Sequence, residues 1–193
     1  MYKNSLILLL LIFCFSCEDD VVPKPKGYLR LEYPEAEYVK SNINVPFTFD
    51  INKLASKVSS KQIQSKTKSY ALNIEYASLK GTLFLTYKAV KNNKKNLNDF
   101  IRDAENLTQK HMIKADEIPV FPFEDDKRRV FGKYYVVKGN VASQSQFHIT
   151  DSVNHFLTGS LYFYAKPNYD SILPAANYLQ KDMKRIMETI EWQ

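Results

Sequence analysis

The chain has 193 residues, 45% hydrophobic and 25% charged, with 5 Gly, 8 Pro, 2 Cys and a formal net charge of +6. That is one ordinary domain's worth of sequence. It excludes a collagen, a disulfide-stapled miniprotein and a disordered tail, which need periodic Gly, dense Cys or low apolar content respectively. With 12 Phe, 13 Tyr and 1 Trp, the aromatic content favours strands and predicts a β-rich domain.

Lys3, an unbroken apolar run over residues 6–15 and Ser16 form the n, h and c regions of a secretory signal. The run is too short to span a bilayer as a helix, which takes about 20 apolar residues. Ser16-Cys17 at its end resembles the bacterial lipobox, with Cys14 standing where Leu is usual. Cleavage before Cys17 would leave a diacylglyceryl-modified N-terminal cysteine. Several acyl chains anchor stably where a single one is marginal, because each buried methylene contributes about 0.8 kcal/mol. The alternative is an ordinary signal peptide with an incidental Cys17. Glu18-Asp19-Asp20 resembles the acidic export signals of surface lipoproteins in the Bacteroidota, or is a plain solvated spacer. Both cysteines lie within the first 17 residues. The folded part therefore has no internal disulfide, thiol nucleophile or thiolate zinc ligand. Loss of residues 1–16 removes Lys3 and leaves a net charge of +5, with the lysines scattered and only Arg30, Arg102, Arg128, Arg129 and Arg185 as arginines. Nucleic-acid readers cluster arginine, so no nucleic-acid partner is expected.

Residues 17–27 read as the lipidated cysteine and a proline-punctuated tether, and residues 28–193 as a single domain whose first part, 28–46, is a docked extended arm. Residues 47–51 alternate with period two and predict a short strand. The Ser/Lys/Gln segment 53–69 reads as loop with some helical character. Residues 70–76 and 82–90 predict paired strands about a turn at 78–81. Apolar residues Leu97, Phe100, Ile101, Ala104, Leu107 and Met112 then recur at helical spacing, with Asn96 as the expected N-cap. Strands are expected over 118–123, 128–138, 141–150 and 155–164. A final helix over 171–191 carries the stripe Ile172, Leu179, Met183, Ile186, Met187 and Ile190, capped by Asp170 or Ser171, with Pro174 in its first turn. The sum is an α+β fold, a mainly antiparallel sheet of about six strands packed with two long helices.

Few residues are placed to carry chemistry. His111, His148 and His155 have neither helical zinc spacing nor a compact ligand set, so no metal is expected. No Ser sits in a Gly-x-Ser-x-Gly elbow and no clustered Gly forms a phosphate loop. Glu124-Asp125-Asp126 beside Lys127-Arg128-Arg129 reads as a charged hairpin tip. The expectation is a non-enzyme without a cofactor. Asp151-Ser152-Val153 and Asp170-Ser171-Ile172 resemble the O-glycosylation tripeptide of exported Bacteroidota proteins, making Ser152 and Ser171 candidate sites. Turn and cap chemistry explains them equally.

Residues 23–30 (Pro-Lys-Pro-Lys-Gly-Tyr-Leu-Arg), 110–116, 132–141, 155–163, and 170–174 through Glu191-Trp192 resemble the gliding-motility lipoprotein GldD family of the Bacteroidota over essentially the whole mature chain. A looser likeness to the Mog1/PsbP-like sandwich agrees with the α+β reading. Membership implies a palmitate-bearing lipoprotein of the outer membrane, on its periplasmic or surface face, anchored at Cys17. It implies linkage to the type IX secretion machinery through other gliding or secretion lipoproteins or outer-membrane proteins. By the same resemblance Gly27, Tyr28, Arg30 and Trp192 are candidate partner contacts, against docking of the arm on its own domain. The competing class binds an envelope glycan or lipid in a tyrosine-lined pocket between sheet and helix.

Overall fold

The computed structural model describes residues 31–111, 115–164 and 169–193. Alternation makes Ser69–Tyr76 (β5) and Gly81–Ala89 (β6) an antiparallel hairpin. Leu72, Ile74, Tyr76, Leu83, Leu85 and Tyr87 fill one face and are buried, while Asn73, Glu75, Phe84 and Thr86 half-emerge on the other. The connection is a 3-10 turn, Ala77–Leu79, closed by Lys80 in the left-handed conformation at φ 51.

His155–Phe163 (β10) pairs with β6, and Ser143–Thr150 (β9), Val130–Val136 (β8) and Val120–Asp125 (β7) continue the sheet outward. On the other side Lys57–Ile63 (β4) pairs with β5, giving seven antiparallel strands in the order β4-β5-β6-β10-β9-β8-β7. β4 falls in the segment expected to be loop with helical character. Only Val58 and Ile63 are apolar there, so pairing with β5 makes the strand, not a hydrophobic pattern. Two ribbons flank the sheet. Tyr38–Lys40 (β1) pairs with Asp50–Asn52 (β3), and Phe47–Thr48 (β2) pairs with Glu191–Trp192 (β11). The single strand expected over 47–51 is thus divided at Phe49, whose ring stacks on Phe47 in the core.

The two helices lie on opposite faces of the sheet. Lys94–His111 (α1) packs Phe100 on Phe156, with Leu97, Ile101 and Ala104 around them. Its cap is Asn93, not Asn96: the Asn93 Oδ1 accepts the Lys95 and Asn96 backbone N–H groups at 2.9 and 3.2 Å. Tyr169–Thr189 (α2) buries Leu179, Met183, Ile186 and Met187 against the larger core, and Ile190 follows in the same stripe. α2 begins before the expected Ser171, so Pro174 lies inside the helix rather than in its first turn. There it removes one intrahelical hydrogen bond. All eight residues of β9 are buried, because this strand runs under both helices.

Candidate functional site

Where α1 leaves the sheet toward β7 and β8, a cleft of about 300 Å³ opens, lined by Glu105, Thr108, Gln109, Ile118, Val120, Lys133 and Tyr135. Lys133 on β8 reaches Glu105 on α1 at 2.8 Å and ties helix to sheet across it. Deeper in, the Thr108 hydroxyl donates to the buried Gln146 Oε1 at 2.7 Å. Tyr135 and His148 stand ring to ring at 5.8 Å, and His148 stacks on Phe156 at 6.0 Å. Burial pushes the His148 imidazole down to about 4 and the Tyr135 hydroxyl up to about 12. Both are neutral near pH 7, which does not favour proton transfer, and of the two only Tyr135 lines the cleft. Among the described residues, Tyr135 is the one tyrosine that lines this cleft.

Other tyrosines gather on the opposite face, around Asp182. This carboxylate is only 2% exposed. It accepts the Tyr38 hydroxyl at 2.7 Å and the Asn52 amide at 3.0 Å, and Tyr76 also donates to it. Tyr178 completes the group, its oxygen accepting from Asn52 at 3.3 Å. Burial raises the Asp182 pKa, against the lowering effect of its three donors. The network joins β1 to β3, β5 and α2. Sequence reasoning passed over Asp182, although it lies three residues after Leu179 and four before Ile186, on the apolar side of the helix.

A family model described as gliding motility lipoprotein GldD matches residues 18–192. The chain belongs to the GldD family of gliding-motility lipoproteins. Its description names a lipoprotein and no reaction, and it carries membrane anchoring with it. No significant match was found among curated proteins or among solved structures. Among the described residues no helix is long and apolar enough to cross a membrane, and no group of three or more His, Cys, Asp or Glu could hold a metal ion.

Against this family background, Cys17, Gly27, Tyr28 and Arg30 lie outside the described residues. Trp192 is described, and its contacts are within the chain. Its ring stacks on His155 at 5.1 Å and meets the edge of Phe47 at 6.3 Å, and its Nε1 donates to the Arg129 carbonyl at 3.2 Å. His155 in turn shares a 2.9 Å hydrogen bond with Tyr87. Ser152 is exposed at the tip of the β9–β10 turn at φ 68, beside Asp151, whose carboxylate accepts the backbone N–H groups of Val153, Asn154 and His155. Ser171 is exposed too, on the first turn of α2. The charged tip between β7 and β8 is held by Asp125, which accepts from the Arg128 side chain at 2.7 Å, while Arg128 also donates to the Glu188 carbonyl at the end of α2.

Proposed function

We propose that the protein is a lipid-anchored component of the outer membrane, held by diacylglyceryl-modified Cys17. From there it supports assembly or function of the type IX secretion and gliding machinery through protein contacts. The observation that carries this is the position of the family match: it begins at residue 18, immediately after Cys17, and runs to the end of the folded chain. The matched stretch thus begins directly after the residue proposed as the anchor. Residues 17–27 serve as anchor and tether, with Gly27, Tyr28 and Arg30 as candidate contacts close to the membrane. Trp192 is the weakest of the four candidates, since its ring and N–H are engaged inside the chain. Ser152, exposed on a tight turn, is the better placed of the two candidate glycosylation sites, because Ser171 belongs to a helix.

A clean deletion tests the proposal. Loss of colony spreading and of type IX cargo secretion supports it, and normal spreading refutes it.

A second reading rests on the cleft beneath α1. Its volume and its mixture of Val120, Ile118, Tyr135, Lys133 and Glu105 suit a small amphipathic ligand, a glycan or lipid fragment of the envelope. Chemical-shift changes confined to the cleft on adding such fragments would favour it, and their absence would remove it.

A further inference from the structure

The two edges of the sheet differ. On β7 the Val136 N–H binds the Pro119 carbonyl, and Val120 lies opposite Tyr135. The alternation of an antiparallel ladder then turns the backbone groups of residues 120, 122 and 124 outward. Position 122 is proline, so the middle of that edge has no N–H to offer an incoming strand. β4, at the other edge, contains no proline or glycine. It pairs with β5 without a bulge from Lys57 opposite Glu75 to Ile63 opposite Ser69. Its outer side has no partner among the described residues.

The β4 edge is also strongly charged. Lys57 and Lys61 project from one face of the strand, and Lys66 and Lys68 follow in the turn to β5, with no acidic residue anywhere in 57–68. Lys57 comes only within 3.8 Å of Glu75, and Lys68 lies over the Tyr70 ring at 5.6 Å. Lys61 and Lys66 have no carboxylate partner among the described residues. Such a row repels a second copy of the same edge, because like charges opposite one another destabilise a strand pair. The same row attracts an acidic strand.

We propose that the outer edge of β4 is a docking edge for an acidic, extended segment of a partner protein, which adds to the sheet as a further strand. Lys57 and Lys61 are four residues apart on one face, so acids at alternate positions of the partner meet them. Val58, Ser60 and Gln62 on the other face accept small or β-branched residues between those acids. The proposal deepens the reading of the chain as a component that works through protein contacts, by naming the kind of partner. Its test is independent of the deletion phenotype, so either can fail alone.

The test measures fluorescence anisotropy of labelled heptapeptides against the mature chain from Cys17 onward. A peptide alternating Glu and Val should bind, and a Lys/Val peptide should not. Binding should weaken tenfold or more in Lys57→Glu/Lys61→Glu, both at exposed positions, with circular dichroism as the check that the variant folds. A Glu/Val peptide with proline at its centre, carrying the same charge, should also lose binding. No binding of the Glu/Val peptide overturns the proposal. Equal binding of the proline-interrupted peptide overturns it as well, since attraction would then act without strand pairing.

Discussion

The Tyr38 hydroxyl donates to the Asp182 carboxylate at 2.7 Å, joining positions 144 residues apart in the chain. Because Asp182 is buried with no cation in contact among the described residues, each of its donors matters more than a surface hydrogen bond would. Tyr38→Phe should lower unfolding free energy by about 1–3 kcal/mol, read from urea denaturation. A change of less than about 0.5 kcal/mol, the usual range for inert surface positions, would show the network to be slack.

The pH dependence of that network has a defined sign. Burial raises the folded-state pKa of Asp182, so the folded chain keeps this proton to higher pH than the unfolded chain does. The group's contribution to stability is complete below the ordinary carboxylate value of about 3.9 and is lost as pH rises through the raised folded value. Measured from pH 4 upward, the stability of the native chain should therefore fall relative to Asp182→Asn. Parallel curves would contradict the assignment.

His148 works in the opposite direction. Its folded pKa is depressed to about 4 by burial, so the neutral ring contributes stability above the ordinary imidazole value of about 6.5. That stability is lost as pH falls from there toward the folded value, and totals about 3 kcal/mol at most. His148→Gln should flatten this part of the profile. A resonance assigned to the His148 ring that titrates at about 6.5 in the native chain would refute the buried neutral ring.

Trp192→Ala should cost about 1–3 kcal/mol, less than losing a fully buried aromatic, because the half-buried ring stacks on His155 and its N–H bonds the Arg129 carbonyl, tying the β2–β11 ribbon to the main sheet. Thermal unfolding checks this. A variant of native stability that nevertheless loses motility would return Trp192 to the role of partner contact.

Two glycines separate steric causes. A Cβ on Gly132 would lie 1.9 Å from the His148 carbonyl oxygen, whereas one on Gly159 would meet the Phe147 ring at 2.2 Å. A ring can rotate away and a strand backbone cannot. Gly132→Ala should therefore destabilise more than Gly159→Ala, whose cost is about 1–3 kcal/mol for overpacking. The comparison is made by urea midpoints.

These residues also show what was legible in the sequence. β5 and β6 bury alternate side chains over most of their length, and α2 buries a continuous stripe, so period located them. β4 escaped because an edge strand needs no apolar alternation once its neighbour supplies the ladder. The α1 cap was misplaced by three residues because Asn93 and Asn96 are chemically alike, and only backbone geometry separates them. Asp182 escaped because its three donors come from three distant segments. The cleft beneath α1 arises where the helix parts from β8, a matter of packing that no local pattern records.

The proposed role depends on the lipid anchor at Cys17. Radiolabelled palmitate incorporation, measured together with colony spreading in a deletion strain complemented with the native chain or with Cys17→Ala, tests it most directly. Label and spreading are expected with the native chain, and neither with Cys17→Ala. Palmitate labelling that survives Cys17→Ala would contradict it.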